Sequence, residues 1–214
     1  MAVFLFLKNK PGASPIDIIK ADIIRGYRME SDKTMTVSFT GHRPKGIIAH
    51  RPYDESNRTE YQKIIDRLTI EIEKLVNAGY TTFITGGAQG FDQLAFWAVN
   101  KVNNKHPEIQ NIVYIPFKGQ ELHWAKTGLF SQHEYCLMLK KADHVHVCDE
   151  NVNTSDFKQA VKALMYRNEC MVNDSGYVIG QFENDTWIFP QTKSGTANCL
   201  RYAKQMGSTI RLFR

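Results

Sequence analysis

With 214 residues, 43% of them hydrophobic, the chain is long enough to bury one substantial core. Its net charge of +5 suits a small anionic ligand but lacks the dense basic stripe of a dedicated nucleic-acid binder. The cysteines at 136, 148, 170 and 199 form no C-x-x-C pair, which argues against a structural zinc site or a disulfide framework, and no apolar segment approaches the length of about 20 residues that a membrane span needs.

Residues 1–34 stand apart. The apolar start is short, with no basic residues before it and no small-residue cleavage site, so a signal peptide is not expected and a cytoplasmic location is. Pro11, Gly12 and Pro15 precede a short helical pattern over 16–27. This segment fits either an N-terminal arm or a non-native extension ahead of Met35. From Met35 onward the chain reads as a single domain, 35–214.

The β-branched and aromatic run 36–40 predicts a first strand ending at Gly41, His42, Arg43 and Pro44. Ile64, Ile65, Leu68, Ile72, Leu75 and Val76 recur at helical spacing, so a helix is expected over 61–76, closed by Gly79. A second strand, 81–85, runs into Thr85, Gly86, Gly87, Ala88, Gln89, Gly90, Phe91 and Asp92, and a helix follows over 91–102. Strands are then expected at 111–116 and 144–148, around a mostly helical stretch 121–141 that Gly128 divides. A helix over 157–171 and a fifth strand at 177–182 follow. Asn184 and Asp185 look like a hairpin turn, with 187–189 returning antiparallel. A last helix, 197–206, and a last strand, 209–213, end the chain.

Strands alternating with helices predict an α/β fold: a Rossmann-like, doubly wound, mostly parallel sheet with helices on both faces. All strand-to-helix loops of such a sheet emerge on one edge, where ligands bind at the point of strand-order reversal. The loop from Gly86 to Asp92 is the strongest local signal there. Its glycines permit a sharp turn and close approach to an anion, and the first-turn N–H groups of the next helix point the same way. The loop is neither G-x-G-x-x-G nor a Walker loop, so it carries neither standard fingerprint.

The ordered series Phe39 to Pro44, Gly86 to Asp92, Pro116, Phe117 and Gln120 with Trp124, Arg167 and Asn168 with Met171, Val172 and Asp174, and Ser194 to Cys199 resembles the YpsA/YoqJ-like proteins of Gram-positive bacteria and their prophages, within the SLOG superfamily. The resemblance spans 35–214. It implies a nucleotide or nucleotide-derived ligand, such as an ADP-ribose-like or cyclic species, held by a sensor or sequestering protein. A rival is nucleoside-monophosphate N-glycosidase activity, and a third is single-stranded DNA binding of the DprA type, for which the modest charge is unfavourable. The hydrolase branch carries a glutamate in its last glycine loop where this chain has Cys199, which counts against that reaction. Self-association is a further expectation from the resemblance.

The candidate ligand contacts are then Thr40, Gly41, His42 and Arg43; Gly86, Gly87, Ala88, Gly90, Phe91 and Asp92; Gln120 and Trp124; Arg167 and Asn168; and Ser194, Gly195 and Thr196. Arg43 can clamp phosphate through its planar fork. Asp92 can accept ribose hydroxyls, act as a base, or simply favour the helix dipole. Trp124 can stack on a base or be plain core, and Gln120 can read a base edge. Ser194 or Thr196 can cap the last helix or leave its N–H groups to a second phosphate. Asp92 and Glu121 are the catalytic candidates if there is a reaction. No cofactor is expected beyond the nucleotide-type ligand. His144 and His146 share one strand face without a third ligand, so no metal is expected.

Overall fold

A computed structural model describes residues 32–214, so the helix expected over 16–27 lies outside the described residues. Six strands form one sheet: β1 (Thr36–Thr40), β2 (Thr82–Thr85), β3 (Gln110–Ile115), β4 (His144–Val147), β5 (Tyr177–Gln181) and β6 (Thr209–Phe213). Their order is β4-β3-β2-β1-β5-β6 and every pairing is parallel. The helices are α1 (Pro44–Ile47, a single turn), α2 (Arg58–Asn77), α3 (Phe91–Asn103), α4 (Gln132–Lys141), α5 (Phe157–Asn173) and α6 (Gly195–Gln205). This is the Rossmann-like α/β architecture expected from the alternation. No helix among the described residues is long and apolar enough to cross a membrane.

The side-chain period of two sorts each strand onto two faces. Val37, Phe39, Phe83 and Ile179 pack against Leu68 and Ile72 of α2 and Leu94 and Ala98 of α3. Farther along the same face, Val113 and Ile115 meet Tyr135 and Met138 of α4. The opposite face puts Ile84, Ile112 and Tyr114 against Met171 of α5, and Val178 against Ala197 and Leu200 of α6. Sheathed on both sides, central β1 is buried at every position, including its polar residues. These are satisfied internally: Ser38 Oγ lies 2.7 Å from Ser175 Oγ, which itself donates to Met171 O at 2.8 Å.

Local signals set the boundaries. At the end of α2, Gly79 at φ +98° lets its own N–H reach Val76 O and that of Tyr80 reach Leu75 O, the Schellman pairing that stops a helix.

Two expected elements differ in the structure. Helix over 121–141 exists only as Gln132–Lys141, and the stretch before it is a chain of turns in which Gly119 and Gly128 take φ of +87° and +92°. The start was marked in the sequence, because Ser131 and Glu134 have the spacing of a capping box and Ser131 Oγ accepts from Glu134 N. The hairpin at 184–189 is instead a 3-10 turn, Asp185–Ile188, capped by Asn184. Trp187 buries against α6 rather than pairing in a strand. Arg201 holds the loop by donating to Trp187 O, Phe189 O and Thr192 O, so its carbonyls need no strand partner.

Candidate functional site

From β1 the chain winds outward through β2, β3 and β4, then returns to lay β5 and β6 on the other side of β1. The strand order therefore reverses between β1 and β5, and the crevice of such a sheet opens at the carboxyl ends there. A hollow of about 410 Å³ occupies this place. The exit of β1 contributes Thr40, Gly41, His42, Arg43 and Gly46, and the exit of β2 contributes Ala88 and Asp92. Helix α5 contributes Val161, Leu164, Met165, Arg167 and Asn168, while Ser194, Gly195 and Thr196 at the start of α6 close the far side.

The electrostatic centre is Arg167, only 5% exposed. Its Nη1 donates to Gly86 O and lies 3.4 Å from Asp92 Oδ2, but its Nε has no hydrogen-bond partner. A buried guanidinium edge left without a partner costs free energy. Asp92 is nearly as buried. Burial pushes its carboxyl up from the ordinary carboxylate range, and Arg167, Arg43 and the Ala88 N–H pull it back. Two cations thus share the single carboxylate that lines the crevice, leaving a positive balance suited to an anion.

The start of α6 is capped by a side chain, as are those of α4 and α5. Ser194 Oγ accepts from Ala197 N at 3.0 Å, which satisfies one of the first-turn N–H groups and leaves those of Gly195 and Thr196 outside the helix ladder. A Cβ placed on Gly195 would meet nothing within 4 Å, so the glycine faces open space. His42 donates its backbone N–H to Gln181 Oε1 and packs its ring 4.9 Å from that of Phe182. Burial lowers its pKa, opposed by the charge of Glu183, so the imidazole is neutral at pH 7.

Several candidate contacts lie elsewhere. A Cβ on Gly86 would overlap the Arg167 guanidinium. Gly87 sits on Val113 and Met138, and Gly90, at φ +98°, brings the start of α3 onto the β1 exit, where a Cβ would come within 2.5 Å of His42 O. Phe91 is fully buried beneath Gly41. Gln120 donates to Tyr135 OH at 2.7 Å, and Trp124 meets the Tyr135 ring edge-on at 5.1 Å, so both belong to the packing around α4. Glu121 is fully buried near Tyr135 and Cys136 and does not line the crevice. Cys199 lies behind Thr40, and burial pushes its thiol up to about 11, which makes it a small core residue rather than a nucleophile. Sequence reasoning missed Val161, Leu164 and Met165. Their i, i+3, i+4 spacing was visible, but it is also that of a core-facing helix.

A larger hollow, about 550 Å³, opens at the β6 edge beside Arg67 and Arg214. Arg67 covers the Phe213 ring and donates to Arg214 O, and Arg214 pairs with Asp185 at 2.8 Å. It holds no buried polar atom in want of a partner, so the smaller crevice is the better candidate. Among the described residues no group of three or more His, Cys, Asp or Glu side chains could hold a metal ion.

A family model described as the YspA SLOG family (YpsA) matches residues 37–213. The uncharacterized SPbeta prophage-derived protein YoqJ of Bacillus subtilis (strain 168) is 34% identical over 151 residues, spanning 67% of this chain and 81% of that protein. Among solved structures, DNA processing protein A from Helicobacter pylori, described for its single-stranded DNA binding mode, aligns at 14% identity and a TM-score of 0.44. The alignment covers 85% of this chain and 66% of that one, just under two thirds of its length, and the likeness is too distant to bear on ligand or mechanism.

Proposed function

The chain belongs to the YpsA family of SLOG proteins, and from that premise we propose that it binds a nucleotide or nucleotide-derived signalling molecule in the crevice between β1 and β5, as a sensor or sequestering protein. Family membership suggests nucleotide-related binding. The observation that carries the reading to this crevice is Arg167, which lines it: a guanidinium 5% exposed, braced on Gly86 O and Asp92, with its buried Nε left without a hydrogen-bond partner. Arg43 at the rim and the first-turn N–H groups of α6 supply the remaining complement for phosphate.

Binding without turnover is the better-supported chemistry. Cleavage of an N-glycosidic bond ordinarily draws on carboxylates placed around the scissile bond. Here the crevice offers Asp92 alone, tied to Arg167 and to Ala88 N, and Cys199 stays a thiol at neutral pH. Asp92 acts by orienting the cation.

Isothermal titration of the purified chain against AMP, cyclic AMP, ADP-ribose and a short single-stranded oligonucleotide tests this. At least one of the small nucleotides is expected to bind, with affinity reduced about tenfold or more in Arg43→Ala. Binding of the oligonucleotide alone, with a steep salt dependence, would transfer the chain to the nucleic-acid reading. Release of free base during incubation would transfer it to the hydrolase reading.

A further inference from the structure

The lining of the crevice is polar in one part and apolar in another. On α5, Val161, Leu164 and Met165 line the same hollow as Arg43 and Gly195. Val161 remains 41% exposed. One turn farther out, on the same helix face, Phe157 is 80% exposed, the most exposed large hydrophobic side chain among the described residues. A lone exposed aromatic needs no explanation, but this one extends a stripe that begins inside a cationic crevice. The start of α5 is no phosphate site. Asp156 caps it, accepting from Lys158 N and Gln159 N, and would repel a second anion.

Resting on the nucleotide reading above, we propose that this stripe is the nucleobase platform: phosphate sits at Arg43 and Gly195, ribose passes Arg167 and Asn168, and the base lies flat on Val161, Leu164 and Met165 with Phe157 at its outer edge. The charge complementarity of one wall and the apolar continuity of the other match the two ends of a nucleotide. Trp124 and Gln120, packed around Tyr135, leave base contact to α5. The stripe carries no hydrogen-bonding side chain, so it grips any base by stacking and apolar contact rather than by reading its edge. Purine nucleotides are expected to bind more tightly than pyrimidine ones, with little discrimination between adenine and guanine.

Titrations of AMP, GMP, CMP and ADP-ribose, with ribose 5-phosphate as the base-free probe, provide the test. Wild-type protein is expected to bind AMP and GMP within about threefold of each other and at least about tenfold more tightly than ribose 5-phosphate. Phe157→Ser and Val161→Asn, both at exposed positions that spare the core, should weaken AMP about 5- to 20-fold and leave ribose 5-phosphate unchanged, with Phe157→Tyr restoring the wild-type value. Photolabelling by 8-azido-AMP should map to 157–165. If nucleotides bind but the variants change nothing, or weaken both probes equally, the platform is overturned while the crevice stands. Loss of self-association in Phe157→Ser with unchanged AMP affinity would assign the stripe to a second copy of the chain instead. Failure of every nucleotide and of ribose 5-phosphate to bind wild-type protein overturns both readings together.

Discussion

Two helix starts face the same sheet edge, and both open with glycine. At α3, Gly86, Gly87 and Gly90 are glycine because the protein itself fills the space: the Arg167 guanidinium lies over the first, Val113 and Met138 under the second, and the backbone of His42 and Arg43 against the third. At α6, Gly195 is glycine with nothing within 4 Å of where its Cβ would stand. The first set is a packing device and the second is an opening. A glycine-rich loop thus marks close approach without saying what approaches, and here the partner at α3 is another part of the chain.

The largest effect should come from removing the group that the α3 loop is packed around. Arg167→Leu leaves Asp92 buried without its main cation, a change expected to cost about 3–5 kcal/mol in urea denaturation. The pH dependence carries a sign. Without Arg167 the folded carboxyl of Asp92 moves further above its unfolded value of 3.8, so stability is lost as pH rises through the folded pKa. The deficit should therefore be worst at pH 7 and shrink toward pH 4, and Asp92→Asn in the same chain should restore part of it.

Gly90→Ala comes next, at about 2–4 kcal/mol, because it adds a Cβ at positive φ and within 2.5 Å of His42 O. Gly195→Ala is its counterpart: a change in stability within about 0.5 kcal/mol, paired with a roughly tenfold loss of nucleotide affinity. Equal stability losses in the two variants would erase the distinction between packing glycine and open glycine.

The smallest expected effect belongs to His42. Its folded pKa lies below the unfolded 6.5, so between those values the unfolded chain holds more protons. Stability should be at its full value above pH 6.5 and decline as pH falls through the folded pKa. Thermal melts from pH 7.5 to 5 should show a shallower slope in His42→Asn.

The sheet was legible because β-branched runs buried on both faces leave few alternatives, as in the stretches around Val37 and Phe83. Reading failed where local chemistry overrode periodicity. Residues 121–130 carry aromatic and apolar side chains without a helix, since Gly119 and Gly128 take left-handed φ and Phe130 joins them at +56°. Residues 184–189 turned under Arg201, a contact from a helix that the segment itself cannot reveal. At the site, Arg43, Asp92 and Gly195 were identifiable by type and position at strand-to-helix loops and Arg167 by the family resemblance, and topology brought them together. Val161 and Leu164 were not, because spacing shows that a helix has an apolar face and is silent about what that face meets.

The strand order also has a consequence in time. Val37 pairs with Phe83 on one side and with Tyr177 on the other, so the middle strand of the sheet has one neighbour from early in the chain and one from near its end. During synthesis β1 can dock on β2 while α2 and α3 sheathe one face, but its other edge waits for most of the remaining chain to leave the ribosome. The crevice closes last as well, since its walls α5 and α6 flank that late strand. A nascent chain halted after β4 would present a bare central edge, and the crevice is fully walled only with the final helix.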